Sequence, residues 1–240
     1  MGKIYLSEKS ISRCFWSALR SSACMGEATR DSNAIAELTA MQVDKFPSEA
    51  GSVSVTNGVY LWLISKYFAP ATVLEIGTYI GRSALAILFG GRFSIDEMYT
   101  CDGTYDCLDF SAYKTEHLGS EKMNCIDRVH YFGKTMSTVV LKKLVAEGKK
   151  VDLVFIDGRI SQEDCSLLGQ VISQQCIFVL DDFEGVEKGV VNAVVLRNVL
   201  RNSLLIEPPV ETSGETGNLA ILAPASLLTL SRQQNLPVNM

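Results

Sequence analysis

From residue 72 onward, short apolar runs alternate with stretches of helical periodicity. Residues 72–76, 98–101, 129–132, 151–156 and 176–180 are rich in β-branched and aromatic side chains and too short for helices, so they predict strands. Residues 83–89, 139–147, 165–172 and 188–200 predict the intervening helices. The runs at 151–156 and 176–180 are almost continuously apolar, the pattern of strands buried on both faces of a parallel sheet. A last pair of short runs, 204–207 and 219–222, flanks Pro208-Pro209 and a Gly/Ser/Thr-rich loop and predicts a hairpin-like closure. Before residue 72, helical periodicity at 11–19, 34–43 and 58–68 predicts helices, with a break at Phe46-Pro47. The expected fold class is α/β: a doubly wound, mostly parallel seven-stranded sheet with an antiparallel strand at one edge and extra N-terminal helices. Residues 1–50 form a helical segment packing on the domain or covering its site, 51–225 the domain itself, and 226–240 a tail.

Composition narrows this only a little. A chain of 240 residues, 47% hydrophobic and 20% charged, suits one globular domain. Its net charge of −5 and pI near 5.2 argue against a nucleic-acid partner or an anionic membrane surface. No apolar run nears the about 18 residues needed to span a bilayer, and Glu8, Lys9, Arg13 and Arg20 interrupt the N-terminal segment. These features predict a cytoplasmic protein. The seven cysteines show no C-x-x-C spacing and read as reduced, mostly buried thiols.

The candidate chemistry begins at Glu75-Ile76-Gly77-Thr78-Tyr79-Ile80-Gly81-Arg82-Ser83. A strand ends here, Gly77 allows a sharp turn, Gly81 allows close approach of a ligand, and a helix opens near Ser83 with free N–H groups facing back. The pattern is E-x-G-x-x-x-G rather than G-x-G-x-x-G, and Tyr79 stands where a dinucleotide turn needs glycine. An acid ahead of the turn, Glu75, suits a ligand carrying positive charge. A plain strand–helix turn without a ligand is the alternative.

In such sheets ligands lie beyond the carboxyl ends of the strands, which directs attention to the acids there. Asp102 follows the second strand and can accept from both hydroxyls of a ribose; the alternative is a turn residue before Gly103. Asp157 ends the fourth strand, and Asp181 and Asp182 end the fifth. Three carboxylates in that position repel one another unless something positive lies between them. A hard divalent cation such as Mg²⁺ or Ca²⁺ answers that need.

The string E-I-G-T-Y-x-G-x-S-A resembles class I S-adenosylmethionine (SAM) methyltransferases, and within them the cation-dependent O-methyltransferases of the catechol and caffeoyl-CoA type. That resemblance implies a Rossmann-like fold, SAM as cofactor, and transfer of a methyl group to a hydroxyl of a small molecule. It implies cofactor contacts from Glu75, Gly77, Thr78, Tyr79, Gly81, Ser83, Asp102, Gly103 and Asp157, with adenine contacts from Gly133, Lys134 and Thr135. Tyr79 would touch the methionine part, and residues 52–58 would pass near the SAM carboxylate, although they also read as a helix cap. The metal set would be Asp157, Asp181 and Asp182, where the family carries Asp, Asp and Asn. A homodimer is compatible with the resemblance.

One departure stands out. The family places a proton-accepting lysine three residues after its first metal aspartate, and Ile160 holds that position here. Asp157 and Arg159 are left as the catalytic candidates, with Arg159 unable to act as a base and suited to an anionic group. Glu163, Asp164 and a cation-activated hydroxyl are further routes for the proton. His117 lies in the loop after the second strand, and His130 reads as structural. The missing lysine keeps a non-catalytic SAM-binding protein open; an NAD-dependent dehydrogenase is disfavoured by the glycine spacing.

Overall fold

A computed structural model describes residues 8–46, 52–115, 118–183, 188–200, 202–208 and 218–230. Among them seven strands form one sheet: β1 (Thr72–Ile76), β2 (Glu97–Asp102), β3 (Val129–Gly133), β4 (Val151–Ile156), β5 (Ile172–Leu180), β6 (Ser203–Ile206) and β7 (Ala220–Pro224). Their order across the sheet is β3-β2-β1-β4-β5-β7-β6. The first five pair in parallel, while β7 runs antiparallel to both β5 and β6. The order turns at β1 and β4, so a crevice opens where the chain leaves these strands in opposite directions.

Period-two alternation assigns side chains to the two faces. Val73, Leu153, Phe155, Ile177 and Val179 point to one face, where they meet α3 (Val55–Phe68) and α4 (Arg82–Gly90). Leu74, Ile76, Val154, Ile156, Phe178 and Leu180 point to the other, toward α6 (Ser137–Ala146), α7 (Gln162–Val171) and α8 (Lys188–Leu196). Both faces are covered, which is why β1 and β4 are uniformly apolar but for Glu75, the half-buried first residue Thr72 and the half-buried second residue Asp152.

The N-terminal helices belong to this core. Trp16 of α1 (Glu8–Arg20) is buried and donates its indole N–H to the Glu207 carbonyl at the end of β6. Asp31 of α2 (Met25–Ala40) is also buried, accepting from the Trp62 indole at 3.1 Å and from Lys122 at 2.6 Å. That lysine belongs to α5 (Ser120–Ile126), a helix not foreseen in the polar 103–125 stretch. α9 (Ala225–Leu230) likewise continues β7 into the expected tail. Four cysteines are buried, while Cys14 and Cys107 are exposed and Cys24 is half-buried; all are free. Among the described residues no helix is long and apolar enough to cross a membrane.

Candidate cofactor crevice and strand-end acids

The turn after β1 is held by its neighbours. Gly77 has φ +98°, and a Cβ on it would lie 3.0 Å from the carbonyl carbon and oxygen of Asp157, so both its conformation and its contact with β4 require glycine. Its N–H donates to the Cys101 carbonyl at 2.9 Å. Gly81 also has positive φ, but a Cβ there would meet Phe110 at 3.1 Å and Leu108 at 3.3 Å. The expected close approach of a ligand at Gly81 is thus taken by side chains of the chain's own loop. The Tyr113 hydroxyl donates to the Ile80 carbonyl at 2.5 Å and fastens the same loop. Above the turn, the rings of Tyr79, Phe46 and Tyr105 pack edge to face with centroids 5.1–5.4 Å apart.

Glu75 does not reach the crevice surface. It is fully buried, its Oε1 accepts from Ser83 Oγ at 2.5 Å, and its Oε2 accepts from the Thr100 hydroxyl. Thr100 in turn shares a 2.5 Å hydrogen bond with Thr78 Oγ1. Burial pushes the Glu75 carboxyl up to about 8, against the opposing pull of Ser83 and Thr100. This acid clamps the start of α4 and the middle of β2 onto β1, rather than facing a cofactor's charge as the sequence suggested. Thr78 and Ser83, also expected at the cofactor, are parts of that clamp.

Asp102 is the last residue of β2 and is 8% exposed. Its Oδ1 accepts from the N–H groups of Thr104 at 2.8 Å and Tyr105 at 2.9 Å, and its Oδ2 accepts from Tyr79 N–H at 2.9 Å. The turn-residue role is therefore realised, and Oδ2, with a single partner among the described residues, keeps acceptor capacity. Its carbonyl accepts from Thr135 N–H, and Lys134 N–H donates to the Tyr105 carbonyl, both at 2.9 Å. Asp102, Gly103, Gly133, Lys134 and Thr135 thus form one connected rim, with Lys134 paired to Asp106 at 3.1 Å.

At the next two strand ends, backbone hydrogen bonds align the acids: Asp157 N–H donates to the Ile76 carbonyl and Asp181 N–H to the Ile156 carbonyl. The positive charge that these acids call for comes from within the chain. Lys188, at the start of α8, places Nζ 2.5 Å from Asp157 Oδ1 and 2.8 Å from Asp182 Oδ2. Asp181 accepts from Asn57 Nδ2 at 3.0 Å; Asn57 also bonds Asn218, whose side chain donates to Asp182 at 3.2 Å. Burial raises both Asp157 and Asp181, with Lys188 pulling Asp157 back and the Asp157 charge adding to the rise at Asp181. Burial disfavours the Lys188 ammonium, yet its bonds to Asp157 and Asp182 outweigh this and hold its pKa above the ordinary value.

The expected metal set therefore does not fit a resident ion. Among the described residues no three His, Cys, Asp or Glu side chains gather to hold one. A divalent cation between Asp157 and Asp182 would have to displace an ammonium already touching both.

The proton-acceptor alternatives also resolve. Asp164 caps α7 in a capping box with Ser161 and accepts from Ser137 and Thr138 as well, while Glu163 pairs with Lys142 at 2.7 Å. Asp164 is thereby fully engaged at the helix start. Ile160 packs into the core on the α6–α8 face, and Arg159 is exposed on the loop after β4. Ser54 caps α3, as the capping reading of 52–58 predicted. His130 is exposed and stacks on Tyr99; His117 lies outside the described residues. Lys188 and Asn218 are side chains that sequence reasoning did not assign, and Asn57 was expected only as part of the 52–58 stretch near the SAM carboxylate. The signal for Lys188 was the unneutralised acid pair itself.

A parallel five-stranded run with β7 reversed between β5 and β6, an acid at the end of β2 and a glycine turn after β1 define a Rossmann-like methyltransferase fold. No protein-family model matches the sequence, and comparison with curated proteins finds no match. Solved structures do match. The O-methyltransferase from Bacillus cereus in complex with SAH aligns at a TM-score of 0.56 and 17% identity, over 80% of this chain and 90% of that one. TomG from Streptomyces achromogenes, an O-methyltransferase involved in tomaymycin synthesis and solved with SAM, gives 0.54 and 17% over 91% and 100%. A methyltransferase from Geobacter sulfurreducens gives 0.54 and 15% over 80% and 88%. At these identities the likeness establishes the fold.

Proposed function

We propose that the chain is a SAM-dependent O-methyltransferase that methylates a hydroxyl of a small molecule. The observation that carries this reading is Asp102, fixed by three backbone N–H groups at the end of β2 beside the Gly77–Gly81 turn. A carboxylate so held is preorganised to accept from ribose hydroxyls without reorganising on binding. The solved neighbours that carry SAM or SAH support the same cofactor here. The rim at Gly133, Lys134 and Thr135 would receive the adenine, and Tyr79 the methionine part.

When bound, the sulfonium of SAM supplies an electrophilic methyl group. The chain's own part is then to hold an acceptor oxygen in line with it near the ends of β4 and β5, since positioning provides much of the rate in such a transfer. Asp157, next to the glycine turn, orients the acceptor hydroxyl and takes its proton as the methyl arrives, and the exposed Arg159 suits an anionic group on the acceptor. Incubation with methyl-labelled SAM and a panel of phenols, catechols and sugars tests the reading. Label transferred to a hydroxyl is the expected result. Cofactor binding without transfer to any acceptor would favour the non-catalytic binder instead.

A further inference from the structure

We infer that Lys188 is a built-in cation that takes the seat of a divalent metal at the ends of β4 and β5, so that this chain handles its acceptor without Mg²⁺. The inference deepens the methyltransferase reading and rests on it for the word acceptor, but the seat itself is argued from the chain alone. An ammonium has three N–H donors. Three oxygens lie around Nζ: Asp157 Oδ1 at 2.5 Å, the Asp157 carbonyl at 3.0 Å and Asp182 Oδ2 at 2.8 Å. The donors and acceptors match in number, and two carboxylates from different strands close on one charge.

The lysine is also aimed there by its helix. Gly189 lets the first turn of α8 lie against the strand end, since a Cβ on it would fall 2.3 Å from the Asp181 carbonyl and 2.8 Å from that of Asp182. One turn on, Asn192 is buried, donates to the Gly158 carbonyl at 2.8 Å and accepts from Ile160 N–H. α8 is thereby fastened to the loop after β4 as well as to the end of β5. A side chain delivered by such an anchored helix is a positioned cation rather than a solvated one. The third acid, Asp181, accepts from Asn57 at 3.0 Å, and the two carboxylates in contact with Nζ are those of Asp157 and Asp182. A divalent ion would meet a like charge at contact distance in a partly buried site, where repulsion is poorly screened.

Mn²⁺ is the probe, read by the paramagnetic resonance signal of the free ion in equimolar mixtures with the full chain. The wild type is expected to leave that signal unchanged. Lys188→Met is expected to take up Mn²⁺, and adding Asp157→Asn is expected to abolish the uptake; Lys188→Arg, which keeps the charge, is expected to behave as wild type. Uptake by the wild type that Asp157→Asn removes would overturn the inference, as would a folded Lys188→Met that binds no Mn²⁺. If Lys188→Met does not fold, the wild type compared with Asp157→Asn decides alone. A parallel titration of S-adenosylhomocysteine in EDTA and in Mg²⁺ separates the two readings. Equal affinity in both buffers supports the built-in cation, and an affinity that rises with Mg²⁺ opposes it. Absence of binding in both refutes the methyltransferase reading, leaving the Mn²⁺ result to judge Lys188.

Discussion

Replacing Glu75 by glutamine should stabilise the protein, increasingly so as pH rises. Glu75 is fully buried and its carboxyl is pushed from 4.5 up to about 8 by desolvation. Below the unfolded value both states hold the proton and the group contributes nothing. Between 4.5 and about 8 the unfolded chain releases the proton while the folded chain keeps it, so stability falls with rising pH; above about 8 the full penalty is present. That rise corresponds to a penalty of about 5 kcal/mol at alkaline pH and about 3 kcal/mol near pH 7. Glutamine cannot ionise, yet it retains an oxygen to accept from Ser83 and an amide N–H to donate to the Thr100 hydroxyl. Urea denaturation of both proteins from about pH 5 to about pH 9 reads the effect. The two stabilities should converge at the acid end, with Glu75→Gln ahead by several kcal/mol at the alkaline end. Parallel pH profiles would show that the carboxyl ionises normally in the fold and would refute the argument. Because the group clamps the turn from behind, Glu75→Gln should also keep its affinity for S-adenosylhomocysteine.

Gly77→Ala should lower stability by about 2 kcal/mol or more, since φ of +98° and a Cβ 3.0 Å from Asp157 backbone atoms add strain to a clash; thermal denaturation checks this. Asp102→Asn should weaken S-adenosylhomocysteine binding at least about tenfold, because it replaces a charged acceptor and sets an amide against the Tyr79 N–H; unchanged affinity by calorimetry would remove Asp102 from the site. Asn57→Ala should cost about 2 kcal/mol by removing a side-chain donor from the buried Asp181 carboxylate and breaking its bond to Asn218, again read by urea denaturation.

The interior of the sheet was legible residue by residue. β1 and β4 run over Thr72–Ile76 and Val151–Ile156, as their apolar runs predict, because strands buried on both faces leave little polar ambiguity. Margins were less legible. The polar Ser173-Gln174-Gln175 stretch hid the first half of β5, which begins at Ile172. The helix expected at 165–172 begins at Gln162, and the signal was present in the S-x-x-D capping box of Ser161 and Asp164. The acids at the strand ends were found from alternation alone, but their partners were not. Lys188 looks in sequence like an ordinary helix-start lysine. Its meeting with Asp157 depends on how α8 returns across the sheet, which no local pattern encodes. Glu75 misled for a related reason: the position after a strand's third residue says that an acid is near the turn, not which side of the turn its carboxylate takes.

The most direct test of the account is calorimetric titration of S-adenosylhomocysteine into the purified chain in the presence of EDTA. The account predicts saturable one-to-one binding in that buffer, lost or sharply weakened in Asp102→Asn. No heat of binding, with or without added Mg²⁺, would contradict the claim that this crevice holds the methyltransferase cofactor.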